Sequence, residues 1–248
     1  MFWLKILCAT TVAGVTLVSG FYPLFQKHQA KSCIHFAWGE SLAVGVFLGV
    51  GLLHMLHDAS ERFYAANIHY PFALLLAGGS FLFLLLLEHI GRSIYENQGF
   101  GNAFAMLAVF MLSIHSYLAG FALGLAETTS MTLILFLAII AHKWAESFSL
   151  AVQLSKSTLT FNHALSFFIL FSLMLPLGML SSLYLQDILT PTPLIEPSMS
   201  ALAAGTFIYL GTLHGLERAV LIKQCCNLKA FTLVLLGFIL MAVVSIWV

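Results

Sequence analysis

Stretches long enough to carry a helix across a bilayer, about 20 apolar residues, recur eight times in this chain. They lie at roughly 5–25, 37–57, 71–91, 102–125, 130–153, 161–186, 198–222 and 229–247. Lipid offers backbone N–H and C=O groups no partner, so only helices or closed barrels span it. A barrel would need alternating segments of about ten residues. None is present, and runs such as Phe81-Leu82-Phe83-Leu84-Leu85-Leu86-Leu87 are apolar on every side. Of the 248 residues 60% are hydrophobic and only 8% are Asp, Glu, Lys or Arg, against about 25% charged in a soluble domain. That balance excludes a soluble enzyme and a disordered chain. Ten basic residues against ten acidic ones, with no basic stripe, exclude a nucleic-acid binder. The first stretch reads as a true span, because it is longer than a signal-peptide core and no small-residue cleavage site follows. The expectation is an all-α integral membrane protein of eight transmembrane helices, residues 1–248 forming a single domain.

Lys27, Lys31, Arg92, Lys156, Lys223 and Lys229 fall in the first, third, fifth and seventh loops, with Arg218 at the adjoining end of helix seven. The opposite side has only Lys5 and Arg62. Basic loops stay in the cytoplasm, so both termini are expected outside it. Short loops and the lack of organelle signals point to a multi-pass protein of the cell membrane, of the bacterial inner-membrane kind. Oligomeric state is open, a homodimer being one arrangement.

A charge at mid-membrane costs about 2.5–3.5 kcal/mol on insertion scales and therefore marks a pathway or a pair. Helix five carries His142, Lys143 and Glu146, and helix four carries His115 and Ser116. Helix two ends in His54, His57 and Asp58, and helix seven carries His214, Glu217 and Arg218. His142 and Glu146 stand one turn apart on one face. His115 lies midway along helix four, and the short 126–129 loop makes helices four and five antiparallel. The three side chains can meet at one depth as two imidazoles and a carboxylate, a set suited to zinc and also to iron, manganese, cobalt or cadmium. Each also has a plainer reading. A lone histidine can bond a neighbouring helix, Lys143 can simply pair with Glu146, and the helix-two residues can rest at the membrane interface. His28, His35, His69 and His163 read as solvated, and Glu88 and His89 as interfacial without a role. Gly45 with Gly49 and Gly120 with Gly124 permit close helix approach. Pro176-Leu177-Gly178 interrupts helix six, as a plain kink or beside a substrate path. Cys8, Cys33, Cys225 and Cys226 form no CxxC and indicate neither a thiolate metal site nor a redox motif.

Five segments then fall in order. Gly45-Val46-Phe47-Leu48 with Leu52-Leu53-His54 lies in helix two, and His115-Ser116-x-x-x-Gly120 followed by Ala122-Leu123-Gly124 in helix four. His142-Lys143-x-x-Glu146, Pro176-Leu177-Gly178 and Gly205-Thr206-Phe207-Ile208-Tyr209 follow in helices five, six and seven. In these the chain resembles the ZIP (Zrt/Irt-like protein) family of divalent metal transporters over nearly its whole length. The resemblance implies a bundle with helices four and five central, flanked by three-helix repeats of inverted topology. It implies no enzyme activity and no cofactor. The divalent cation, zinc foremost, is substrate and enters the cytoplasm. The primary site it implies is His115, His142 and Glu146.

The chain also departs from the pattern. Ala119 stands where many members carry a carboxylate, and Ser116 and Lys143 stand where some have Asn or Asp for a second metal. His54-x-x-His57-Asp58 replaces a His-x-x-Pro-Glu/Asp segment, His214 stands at a usual Glu, and no His-rich cytoplasmic loop is present. A lysine ammonium cannot be a ligand while protonated, so Lys143 reads as the substitute for a second metal, leaving one ion per site. The expected route runs from His54, His57 and Asp58 outside, through His115, His142 and Glu146 with Ser116 or water completing the shell, to His214 and Glu217 inside. The rival of another class is an intramembrane metal-dependent hydrolase using the same ligands. It would need a general base beside the metal, and no HExxH occurs.

Overall fold

The computed structural model describes residues 2–26, 34–95, 101–189, 194–212 and 228–247. Among the described residues every regular element is helical. We number them α1 (Phe2–Phe25), α2 (Ile34–Gly49, continued by a π-helical segment Val50–Met55 and an α-helical end Leu56–Ala65), α3 (Phe72–Tyr95) and α4 (Gly101–Leu125). There follow α5 (Thr129–Lys156), α6 (Phe161–Leu189), α7 (Ile195–Tyr209) and α8 (Leu228–Val244). Eight helices thus correspond to the eight expected spans. Six are long and apolar enough to cross a membrane, while α8 and the described part of α7 are shorter. His214, Glu217 and Arg218 lie outside the described residues.

Three expectations are corrected. Helix two does not stop near residue 57 but runs on to Ala65. Hydropathy falls there because Asp58, Glu61 and Arg62 follow, yet the helical backbone continues past the apolar stretch to its cap at Ala66, after which Asn67 adopts φ 59°, a left-handed conformation that Asn tolerates. Helix six is not interrupted: α6 is continuous through Pro176, as lipid would leave a broken backbone without partners. Lys5 is not a loop cation. It is buried and donates to the Gly124 carbonyl at 2.6 Å, where a positive charge suits the C-terminal end of α4.

Packing sorts the helices into two groups. The closest pairs are α4 with α6 and α1 with α5 in one, and α2 with α8 and α3 with α7 in the other. Exchanging α1, α2 and α3 for α6, α7 and α8, and α4 for α5, maps this pattern onto itself, as inverted repeats require. Small residues make the contacts within each group. A Cβ added at Gly45 would overlap the Val234 carbonyl of α8, and one at Gly120 would overlap the Leu175 backbone of α6. Between the groups, α5 meets α2 and α4 meets α7. Helices α4 and α5 are therefore central.

Candidate metal site

Helix α5 needs its N-terminus fixed before its polar face can be placed. Thr128 caps it, its hydroxyl accepting from the Met131 N–H at 3.1 Å, which satisfies one of the orphan donors of a first turn. Three and a half turns on, His142 and Glu146 project from one face toward α4. Glu146 Oε1 lies 3.3 Å from His142 Nε2 and 3.3 Å from His115 Nε2, and the two imidazole centroids are 6.0 Å apart. All three side chains are fully buried. Yet His115 Nε2, His142 Nε2 and Glu146 Oε1 make no hydrogen bond. Leaving buried polar atoms unpaired costs about 1–3 kcal/mol each, so three that converge instead of bonding one another point to a shared ligand. Among the described residues they form the one His/Cys/Asp/Glu group whose ligand atoms all lie within 4.8 Å. Zinc–ligand bonds of about 2.0–2.1 Å in tetrahedral geometry place neighbouring ligand atoms about 3.3 Å apart. The two measured separations match that edge.

The other carboxylate oxygen is occupied. Lys143 Nζ donates to Glu146 Oε2 at 2.8 Å and to Ser116 Oγ at 2.5 Å, and it lies 4.6 Å from the centroid of the Phe171 ring. Lys143 is 1% exposed, so this cation belongs to the interior. Ser116 Oγ is 3.5 Å from the same Oε2. The serine thus faces the ammonium side of the carboxylate, and the three convergent ligand atoms face the other.

A narrow cleft reaches His142 from one end of the bundle, lined there by His54, Asp58, Ala119, Glu196 and Ser200. His54 sits in the π-helical segment, a distortion often used to aim a side chain at a functional site. It is buried, with Nδ1 3.1 Å from Asp58 Oδ2. His57 points elsewhere: its side chain is 61% exposed and lies 3.5 Å from Glu61. Toward the other end, the α2–α5 seam is closed. Phe36 packs on Phe148 with centroids 6.2 Å apart, and Lys156 Nζ donates to Glu40 Oε2 at 2.5 Å.

Several functional candidates escape the sequence. Glu196 lines the cleft and accepts from Arg62 Nη1 at 2.5 Å. Burial pushes its carboxyl above the ordinary 4.5, Arg62 opposing and Asp58 reinforcing the rise. Thr206 and Phe207 of α7 touch the site from the other group of helices: Phe207 lies 4.0 Å from the His115 ring and 5.2 Å from that of His142, centroid to centroid. Glu88, read as an idle interfacial residue, is buried and accepts from the Tyr209 hydroxyl. A polar residue at a span boundary carries no signal of burial, and nothing local announces a partner more than a hundred residues away.

The sequence model of the ZIP zinc transporter family matches residues 2–103 and 99–245. The chain belongs to the ZIP zinc transporter family. The zinc transporter ZIP2 of Mus musculus is 26% identical over 98% of this chain and 97% of its own length. The zinc transporter ZIP2 of Homo sapiens is 25% identical over 98% of each. Zinc transporter 11 of Arabidopsis thaliana is 26% identical over 98% of this chain and 85% of its own. As a ZIP-family protein, the chain is a multi-pass membrane transporter of divalent metal cations and not an enzyme, which sets aside the hydrolase reading of the same ligands.

Proposed function

We propose that this protein carries zinc, or a cation of like ligand preference such as iron, manganese or cadmium, into the cytoplasm through a single site of His115, His142 and Glu146. The observation that supports this reading is the convergence of His115 Nε2 and His142 Nε2 on Glu146 Oε1, each at 3.3 Å, close to the edge of a tetrahedral zinc site, with His142 reached by a cleft that begins at His54, Asp58 and Glu196. The whole chain acts as one transporter domain. Lys143 takes the place of a second ion, because its ammonium holds the carboxylate oxygen that such an ion would need. The basic loops support an orientation with both termini outside the cell membrane, so the cleft faces outward, and the short loops support a bacterial inner membrane. His57, on the exposed face beside the mouth, joins the capture region, Ser116 holds Lys143 in place, and His214 and Glu217 receive the ion on the cytoplasmic side. Release demands moderate affinity, and protons compete with the ion for imidazole and carboxylate.

Zinc uptake into proteoliposomes carrying an internal zinc-sensitive dye tests the assignment. Glu146→Ala and His115→Ala are expected to abolish uptake while the protein still elutes as a folded species. Undiminished transport by either variant would overturn the site, and uptake of another divalent cation in preference to zinc would reassign the substrate alone.

A further inference from the structure

One hydroxyl beside the site has its donor capacity already spent. Thr206 Oγ1 lies 2.7 Å from the Ala203 carbonyl in its own helix and 3.4 Å from His115 Nδ1. A hydroxyl carries a single proton, and the carbonyl can only accept, so that proton goes to Ala203. Toward His115 the threonine oxygen therefore accepts, which puts the imidazole hydrogen on Nδ1. A neutral imidazole with hydrogen on Nδ1 has its lone pair on Nε2, the atom 3.3 Å from Glu146 Oε1. The opposite tautomer would aim an N–H at the place where the cation binds. The next residue reinforces the arrangement: Phe207 lies against the His115 ring and stacks on Phe47 of α2, centroids 5.4 Å apart and planes within 17°.

The origin of these contacts matters as much as their chemistry. His115 rides on α4, whose main partner is α6, whereas Thr206 rides on α7, whose main partner is α3. The hydrogen bond thus crosses between the two groups of helices. We propose that Thr206 is a positioning residue that holds His115 in its metal-binding tautomer, so that the grip of the site depends on α4 being seated against α7. This inference rests on the His115/His142/Glu146 reading. Any displacement of one group against the other withdraws the threonine oxygen and leaves His115 free to turn, which loosens the ion without a change in any ligand.

The test measures zinc affinity by equilibrium dialysis of the purified full chain and the apparent KM and maximal rate of zinc uptake in proteoliposomes. Outer hydrogen-bond partners of metal-bound histidines are worth about 10–100-fold in affinity. Thr206→Val, close to isosteric, is expected to weaken zinc binding and raise KM by that factor with the maximal rate held or increased. Thr206→Ser, which keeps the hydroxyl, is expected to restore both to within about threefold, a small part of that range. Should valine not fold, Thr206→Ala carries the same expectation without added bulk. Unchanged KM and affinity in the valine or alanine variant would overturn the proposal, as would a serine variant impaired as much as valine, since that pattern reports packing. His115→Ala run beside them separates the two failures: if it abolishes uptake while Thr206 variants behave as wild type, the site stands and only the threonine's role falls.

Discussion

Replacing Lys143 by methionine keeps an unbranched stem of similar length against Phe171 and removes only the ammonium. In the native chain that ammonium is 2.8 Å from Glu146 Oε2 and 2.5 Å from Ser116 Oγ, with both ionic partners shut away from solvent. Removing one member of a buried pair costs about 3–5 kcal/mol, because the other is left as an uncompensated charge. For chains of this size each kcal/mol is worth about 2–4 °C in Tm. The variant should therefore melt about 6–20 °C below wild type in zinc-free detergent buffer. The freed Oε2 is then left without a cation, and if Lys143 stands in for a second ion, zinc should bind there in its place. Each occupied site adds about 2.7 kcal/mol at a concentration of 100 times Kd, so zinc should raise the Tm of the variant more than that of wild type. Thermal melts with chelator and with saturating zinc, joined to zinc stoichiometry by dialysis, read both effects. A chelator melt within about 2 °C of wild type, less than one kcal/mol, would refute the neutralising role of Lys143. A zinc-induced rise no greater than that of wild type would refute its role as substitute for a second ion.

Gly120→Ala places a methyl group in the Leu175 backbone, whereas Gly78→Ala meets no atom within 4 Å. The first should cost about 1–3 kcal/mol by overpacking and the second should gain up to about 1 kcal/mol of helix propensity; equal melts of the two in one detergent would contradict the small-residue account of α4–α6 packing. Glu196 supplies a pH signature. Its carboxyl is raised above 4.5 by burial, so the folded state holds this proton more tightly than the unfolded chain does. Its contribution to stability is then fully present below pH 4.5 and is lost as pH rises through the raised value. Glu196→Gln should remove that loss, and the difference in Tm between variant and wild type should grow from pH 4 toward neutrality; a difference independent of pH would contradict it.

The helices and the meeting of His115, His142 and Glu146 were legible for one reason: contrast. In a chain with so few charges, a histidine or glutamate inside an apolar run stands out, and the 3.6-residue period alone stacks His142 over Glu146. Hydroxyl residues lack that contrast. Thr206, like Ser41, Ser60 and Thr16, bonds a carbonyl of its own helix, which lets it sit in an apolar run unnoticed, and only packing brings its oxygen to His115. The Arg62–Glu196 pair depends on the register between α2 and α7, which no local pattern encodes. The π-helical widening at Val50–Met55 is equally invisible, because it changes the backbone ladder and leaves the apolar pattern intact. Pro176 misled in the opposite direction. A local breaker was outweighed by a medium that gives a broken helix nothing else to bond.

The division of the Glu146 carboxylate has an electrical consequence. Lys143 and Glu146 cancel, and the two imidazoles bind metal in their neutral form. In the single-ion reading proposed above, the site between ions carries no net charge, and with a divalent ion it carries two. A membrane potential exerts force only on the loaded form. Each elementary charge moved through 100 mV is worth about 2.3 kcal/mol, so a divalent ion crossing the whole field gains about 4.6 kcal/mol toward a negative interior. In that reading the unloaded site returns with no net charge for the field to act on. One buried lysine would, in that reading, make entry voltage-driven and resetting voltage-blind.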